Sequence, residues 1–368
     1  MENPEERLKL EAGKLKTVTV KVGESQETRE LIQLGSQVKQ GIQEEIRRSL
    51  RSLAALKRKG HRVGRLRFKA FVNALPLKQF GITYSFKEGQ KVSIQNLEEF
   101  RVLGLRQIPQ DAEIANAVLV RKPSGFYLHV TVYTPKNPPS SEGTKSKPID
   151  KPIGLDFGVK HQLTLSNGLR FGYEIPTSKR IQKLQRRLAR QEKGSKNHNH
   201  TRHLLRRGYE RLSNRKKDIQ NKLIAFLKGY AVVAFQDDQV KGWQEGLFGR
   251  QVQSTAIGGL KARLRESLAT LVVDRYEATS RECFRCGSRF DLTLSDRWVH
   301  CSCGWEADRD RNASLVILRK GLGLSPDQAL GLDRPEATPL EMKAAVRTVG
   351  SNPYVRISLV GEGGSLPL

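Results

Sequence analysis

Four cysteines and a few carboxylates are the residues of this chain whose types and spacing could do chemistry. Cys283 and Cys286 lie in CFRCG, Cys301 and Cys303 in CSCG, and 14 residues separate the two knuckles. Four thiolates satisfy tetrahedral zinc, and the glycine after each pair lets the backbone turn so that amides approach sulfur. The second pair has one intervening residue where two are commoner. Because all four cysteines fall in this stretch, a local metal site is favoured over a dispersed disulfide framework. Four cysteine ligands leave no open position for water, so the spacing predicts a structural Zn²⁺ that takes no part in bond cleavage. His300 and Asp296 read as surface residues of the same ribbon, ahead of a reading as nucleic-acid contacts.

The carboxylates suggest different chemistry. Asp156 ends an apolar strand just before Phe157-Gly158, and Asp310 follows Asp308 at the start of an apolar helix. Taken singly, the first reads as a turn residue and the second as a helix cap. Taken with the strand-rich surroundings and the basic composition, they suggest carboxylates converging on Mg²⁺ beside a phosphodiester. Oxygen ligands suit that hard cation. Two such ions roughly 3.5–4 Å apart activate a water and stabilise the leaving oxygen.

The balance of charge points to the same class of partner. Among 368 residues, 65 Lys and Arg face 38 Asp and Glu, a formal net charge of +27. An excess of that size speaks of partners, and a polyphosphate backbone rewards it through counterion release. A ribosome-associated basic protein fits the composition as well. With 37% hydrophobic residues the chain can build one or two sizeable cores. No apolar run reaches membrane-spanning length, and the charged opening MENPEERLKLEAGKLK lacks the apolar segment of a secretory signal. The expectation is an intracellular, cytoplasmic protein with no membrane partner.

These groups need elements to position them. Residues 28 to 58 read as mainly helical, followed by strand-like pieces at Gly81 to Phe86 and Lys91 to Ile94. A stronger pair lies at Ala115 to Val120 and Gly125 to Tyr133 about the turn-forming RKPSG. TPKNPPSSEGTKSKPI reads as a linker. A second domain starts near Lys151 with strand, glycine turn and strand, Asp156 being in the first. Residues 178 to 229 form a long basic helical region broken near GSKNHNHT, with Ile181, Leu184, Leu188, Leu204, Leu205 and Leu212 as apolar stripes. AVVAF then reads as a buried strand ending at Gln236-Asp237-Asp238, 254 to 270 as a helix, and LVVDRYE, 271 to 277, as a strand. The tail beyond Gly321 carries no clear chemistry.

In combination, GLDFGVKHQLTL, VVAFQDDQVKGW, the CxxCG and CxCG ribbon and ADRDRNAS resemble the insertion-sequence TnpB (OrfB) family and the related small type V CRISPR effectors, over about residues 60 to 325. The resemblance implies an α/β fold: a split RuvC-like (RNase H-like) core with an inserted four-cysteine zinc ribbon, plus an N-terminal β-rich wedge domain with a helical insertion. On it, residues 1–135 form the wedge domain with a short helical recognition segment and 136–150 a linker. Residues 151–277 and 306–325 are the two parts of the nuclease domain, 278–305 the ribbon and 326–368 a tail. It further implies a transposon-encoded, RNA-guided DNA endonuclease of prokaryotic cells, nucleoid-associated when bound to DNA. Guide RNA and target DNA are its partners, structural Zn²⁺ and catalytic Mg²⁺ its metals, and cleavage falls beside a short flanking motif. Alternatives are a nuclease-dead RNA-guided DNA-binding protein or repressor and an RNA-binding transposition accessory protein.

Within the resemblance Asp156 matches the first catalytic aspartate and Asp310 the last, with Asp308 and Asn312 supporting. The middle acid departs: the family strand ends in Glu and this one in Gln236, whose neutral carboxamide supplies no ligand charge. Asp237 is one residue away and so reverses direction in a strand, while Asp238 restores it only if extended geometry continues. Glu277, placed at the end of the next strand, resembles the relocated glutamate of some members of the wider superfamily and ranks ahead of Asp238. The recognition segment is also short, since the wedge motif at Phe68-Lys69 comes early.

Overall fold

The computed structural model describes residues 12–65, 71–134, 149–173, 175–246, 249–293, 295–329, 331–332, 349 and 354–359. Phe68-Lys69, nearly all of the linker and most of the tail lie outside these residues. The chain divides into two compact units, Met1–Gly143 and Thr144–Leu368.

The first unit is β-rich. Strands β1 (Thr17–Val22) and β2 (Ser25–Glu30) form a hairpin turned at Gly23, and helix α1 (Ser36–Arg58) follows. The helix starts later than its sequence suggests because residues 25–30 pair across to β1, Thr28 opposite Thr19. Strands β3 (Ala74–Leu77), β4 (Tyr84–Lys87), β5 (Lys91–Ile94), β6 (Glu99–Arg101), β7 (Glu113–Lys122) and β8 (Gly125–Tyr133) make two three-stranded sheets, β3-β7-β8 and β4-β5-β6. Val38 of α1 joins Leu77, Tyr84, Val92, Ile94 and Ala117 in their core.

The second unit is built on a six-stranded sheet. Strands β9 (Ile149–Asp156), β10 (Leu163–Leu165) and β11 (Leu169–Tyr173) form an antiparallel meander. After helices α2 (Lys179–Ala189) and α3 (Lys196–Leu227), strand β12 (Tyr230–Gln236) returns parallel to β9. Short helices α4 (Val240–Glu245) and α5 (Gly249–Thr255) and helix α6 (Ile257–Ser267) lead to β13 (Thr270–Val273), parallel to β12. The cysteine segment contributes the small antiparallel pair β14 (Trp298–His300) and β15 (Glu306–Asp308), and helix α7 (Arg309–Gly321) runs out of it. A last strand, β16 (Val355–Leu359), pairs with β11, giving the order β13-β12-β9-β10-β11-β16. The tail thus extends the main sheet, which its Gly- and Pro-rich sequence gave no reason to expect.

Strand alternation divides this sheet into two faces. Ile153, Leu155 and Phe157 of β9 and its end, with Val233 and Phe235 of β12, join Leu223 of α3 and Leu260 and Leu264 of α6 in the larger core. The opposite face carries Ala234 and Val273, packed under Ile317 and Leu318 of α7. Gly154 lies where α7 crosses β9: a Cβ there would run into the Ser314 carbonyl oxygen and the Leu318 side chain. A glycine is required at that crossing. It brings the helix close enough for its first turn to reach the end of β9.

One expected element is shorter than read. Residues 271 to 277 are not one strand; β13 stops at Val273. Asp274 then closes a turn, its carboxylate accepting from Tyr276 N at 2.8 Å and its carbonyl from Glu277 N at 3.2 Å. Local Asp capping of this kind competes with strand extension.

Candidate active site and metal centre

Asp156 shares the parity of Gly154 and so stands on the α7 face of β9. The first turn of α7 supplies the carboxylates beside it. Asp308 caps that helix, accepting from Asp310 N at 3.0 Å and Arg311 N at 3.1 Å. It also pairs with Arg170 of β11. Burial raises the Asp156 carboxyl well above its ordinary range, and the charges of Asp310 and Asp238 push it further in the same direction. Arg309 offsets this in part, and Asp308 adds to it. Three acids therefore act on Asp156 at the carboxyl end of the central strand. Among the described residues they do not draw together as tightly as the cysteines, whose ligand atoms all lie within 4.8 Å.

β12 places its own end beside Asp156. Phe235 is in register with Leu155, so Gln236 is the next residue on the neighbouring strand, on the α7 face. Its carboxamide is committed elsewhere. Nε2 donates to the carbonyls of Asp274 at 2.9 Å and Glu277 at 2.8 Å, and Oε1 accepts from the Thr279 hydroxyl at 2.7 Å. Gln236 and Thr279 are both buried. The side chain at the middle position thus ties down the turn that follows β13.

The two candidate middle acids separate clearly. Asp238 is among the charges acting on Asp156, and its side chain is only 22% exposed. Burial is the main influence on it and raises its carboxyl, with Lys261 opposing. Glu277 instead sits on the turn, half-exposed, with its carboxylate 2.7 Å from Lys320 Nζ. The strongest charges on Asp156 are Asp310, Asp238, Arg309 and Asp308, a set without Glu277. The expected strand would have ended at Glu277; it stops at Val273, so Glu277 stands on the following turn and not at a strand end. Asp237 points to the other side, where Arg265 and Arg275 bind it at 2.5 and 3.1 Å.

The cysteine centre has the expected geometry. Cys283 and Cys303 sulfurs lie 3.7 Å apart and those of Cys286 and Cys301 3.5 Å apart. Gly287 and Gly304 take positive φ at the two knuckles, and Gly287 N and Gly304 N donate to Cys283 O and Cys301 O. Burial pushes the Cys283 thiol up to about 12, while hydrogen bonding with Ser288 takes Cys286 down to about 6. The four sulfurs form a group able to hold one metal ion.

Asn312 belongs to this centre and not to the acidic cluster. Fully buried, it donates from Nδ2 to Glu282 O at 2.7 Å, and its Oδ1 accepts from Phe284 N at 3.1 Å and Trp305 Nε1 at 3.0 Å. Arg319, two turns further along the same face of α7, donates to Cys283 O and Phe284 O. Helix α7 therefore grips the first knuckle with two polar side chains while offering Asp310 from its first turn. Leu315 and Val316 of the same helix share a core with Cys283, Phe284 and Trp305. The sequence marks Asn312 only as a neighbour of Asp310; its partners come from residues distant in the chain.

Similarity to known proteins falls on these same segments. Residues 128–229 match the family model described as "Probable transposase" (OrfB_IS605), and residues 260–317 match "Cas12f1-like, TNB domain". Asp156 lies in the first match, the cysteines and Asp310 in the second, and Gln236 and Asp238 between them. A protein of Streptomyces pristinaespiralis described as a "Putative RNA-guided DNA endonuclease" is 27% identical over 253 residues, 66% of this chain. The chain spans about three-fifths of that protein's length, 61%. The solved structure of a Cas12f1–sgRNA–target DNA complex aligns over 66% of this chain and 58% of its own, with 17% identity and a TM-score of 0.37. In its OrfB-type segment and in its ribbon with the flanking helices, the chain is similar to the families that its motifs resemble.

Proposed function

We propose that this protein is a guide-RNA-directed DNA endonuclease of the transposon-encoded type, with an RuvC-like nuclease unit and an N-terminal wedge unit. The observation that carries the reading is the convergence of Asp310 and Asp238 on Asp156 at the end of the central strand, where burial and their two charges raise the Asp156 carboxyl. Carboxylates crowded together in a partly desolvated place are costly, and a cation relieves them. Oxygen donors of this kind suit Mg²⁺, which when bound supplies Lewis-acid activation of water and of the scissile phosphate. Asp156 and Asp310 would hold it, with Asp238 as the middle acid. Asp308 holds the first turn of α7 in place through its cap and its pairing with Arg170. The meander followed by two strands parallel to its first strand supports the RNase H-like reading.

The four cysteines would hold Zn²⁺, whose work is to fix the knuckle that α7 grips. The net charge of +27 suits a ribonucleoprotein that handles DNA, with sequence chosen by base pairing. No helix among the described residues is long and apolar enough to cross a membrane; we place the protein in the prokaryotic cytoplasm, at the nucleoid when bound to DNA. The test is to sequence the RNA that copurifies with the protein and to program the complex against a matching plasmid. A dominant structured RNA with a variable end, and cutting only of the matched plasmid in Mg²⁺, are expected. Heterogeneous host RNA and no target preference would refute the reading.

A second reading, guided binding without cutting, is favoured by one observation. Gln236 spends both Nε2 hydrogens and one Oε1 acceptor position on the turn after β13, and its neutral carboxamide supplies no ligand charge. In that case the programmed complex protects the matched site and leaves it intact.

A further inference from the structure

Lys261 of α6 is a buried ammonium beside the acidic cluster. Its side chain is 5% exposed and its Nζ lies 3.1 Å from Asp238 Oδ2. Nζ also donates to Gln236 O at 2.7 Å and to Asp238 O at 3.3 Å. The rings of Phe157 and Phe235 lie 5.3 and 5.7 Å from it. Three oxygen acceptors and two aromatic faces thus fix a cation at the point where β12 ends, one strand over from Asp156. A lysine confined this way is a point charge that cannot swing aside as a surface lysine does.

The charges around it can be counted. Asp308 is matched by Arg170 and Asp238 by Lys261. Asp156 and Asp310 form no ion pair among the described residues, and Asp156 feels the repulsion of Asp310 first among its charged neighbours, with Arg309 opposing it in part. Two carboxylates are left without an ion pair, a donor set that suits one divalent cation. A second divalent ion on Asp238 would have to approach or displace an ammonium 3.1 Å from the ligand oxygen, an unfavourable encounter in a partly desolvated site.

We propose that Lys261 is a positioning residue whose ammonium takes the place of one divalent cation, so that this site holds a single Mg²⁺ on Asp156 and Asp310 and not a pair. The inference rests on the reading of these acids as metal ligands. It assigns Lys261 two tasks: orienting Asp238 through one oxygen, and supplying positive charge where the strand-end position lacks a glutamate. This is a role that Gln236 cannot fill, since its carboxamide is neutral and already bonded.

Mn²⁺ titration of the full chain, freed of nucleic acid, tests it by counting bound ions from the spin resonance of free Mn²⁺ and from calorimetry. One ion per chain is expected, lost in Asp156→Asn and in Asp310→Asn. Lys261→Met keeps an unbranched apolar stem between Phe157 and Phe235 and removes the charge; it should bind two ions. Adding Asp238→Asn should return the count to one, and Lys261→Arg should keep it at one. Zinc content and circular dichroism report whether each variant is folded. Two ions bound by the parent would overturn the inference alone, whatever the variants do. A folded Lys261→Met protein that still binds one ion would also overturn it. A parent that binds no Mn²⁺, or binds it independently of Asp156 and Asp310, would instead overturn the metal-ligand reading beneath it.

Discussion

Gln236 and Thr279, 43 residues apart in sequence, are joined by a buried 2.7 Å hydrogen bond between the threonine hydroxyl and the carboxamide oxygen. With the two bonds from Nε2 to Asp274 O and Glu277 O, it makes Gln236 the organiser of the turn between β13 and the ribbon. Restoring a glutamate would face a carboxylate with two carbonyl oxygens. Gln236→Glu should therefore destabilise the protein, by about 1–3 kcal/mol for the Glu277 carbonyl if it stays without a donor, and it should not increase cleavage. Urea denaturation beside a cleavage assay checks both. Unchanged stability with faster cutting would mean that the carboxamide has no structural role.

Asn312 should show the dependence of α7 on the ribbon. Asn312→Ala leaves Phe284 N, Trp305 Nε1 and Glu282 O without this partner, at about 1–3 kcal/mol for each that stays dry. Zinc removal should act by the same route, because the ribbon's small core is shared with Leu315 and Val316. Hydrogen exchange with and without chelator should rise in residues 278 to 305 and in α7 together. Faster exchange in the ribbon with α7 unchanged would show that the two are independent.

Asp156 should set a pH dependence. Its carboxyl is raised in the folded protein, by burial first and then by Asp310 and Asp238. Below the ordinary carboxylate range it is protonated whether the chain is folded or not, and its contribution to stability is fully present. That contribution is lost as pH rises through the raised value, because folding then buries a charge. Metal-free protein should accordingly lose stability from acid toward neutral pH, and Asp156→Asn should flatten this slope. Added Mg²⁺ should raise the Tm of the parent at neutral pH and leave that of the variant nearly unchanged. Parallel pH curves for parent and variant would show that Asp156 ionises without cost.

The ease with which these features could be read from sequence differs for physical reasons. The cysteines announce themselves by spacing, and Asp156 by ending a run of apolar residues, because both signals are local. Asp310 was readable for the same reason, as the acid of a helix start. The role of Gln236 was not, since its three partners lie at 274, 277 and 279 and meet it only after β13 pairs with β12. The strand was read too far, to Glu277, because LVVDRYE alternates like a strand, while Asp274 turns the chain by local hydrogen bonds that alternation does not register. Lys261 is hidden among the many basic residues of the chain; only its burial singles it out. Asp238 lies beyond the strand end, where parity no longer predicts direction, and only the fold shows that it meets Lys261.

The most direct measurement is Mg²⁺-dependent cleavage of a matched plasmid at fixed salt by the guide-loaded protein, comparing the parent with Asp156→Ala, Asp310→Ala, Asp238→Asn and Glu277→Gln, with target binding measured in parallel. The parent should cut. The Asp156 and Asp310 variants should lose cleavage while binding persists, since each removes a ligand charge and leaves the basic surface in place. Asp238→Asn should lose most of the rate, and Glu277→Gln should stay close to the parent because its carboxylate serves Lys320. Undiminished cutting by the Asp156 or Asp310 variant, or a parent that binds its matched target and leaves it whole, would contradict the assignment of this site as a nuclease centre.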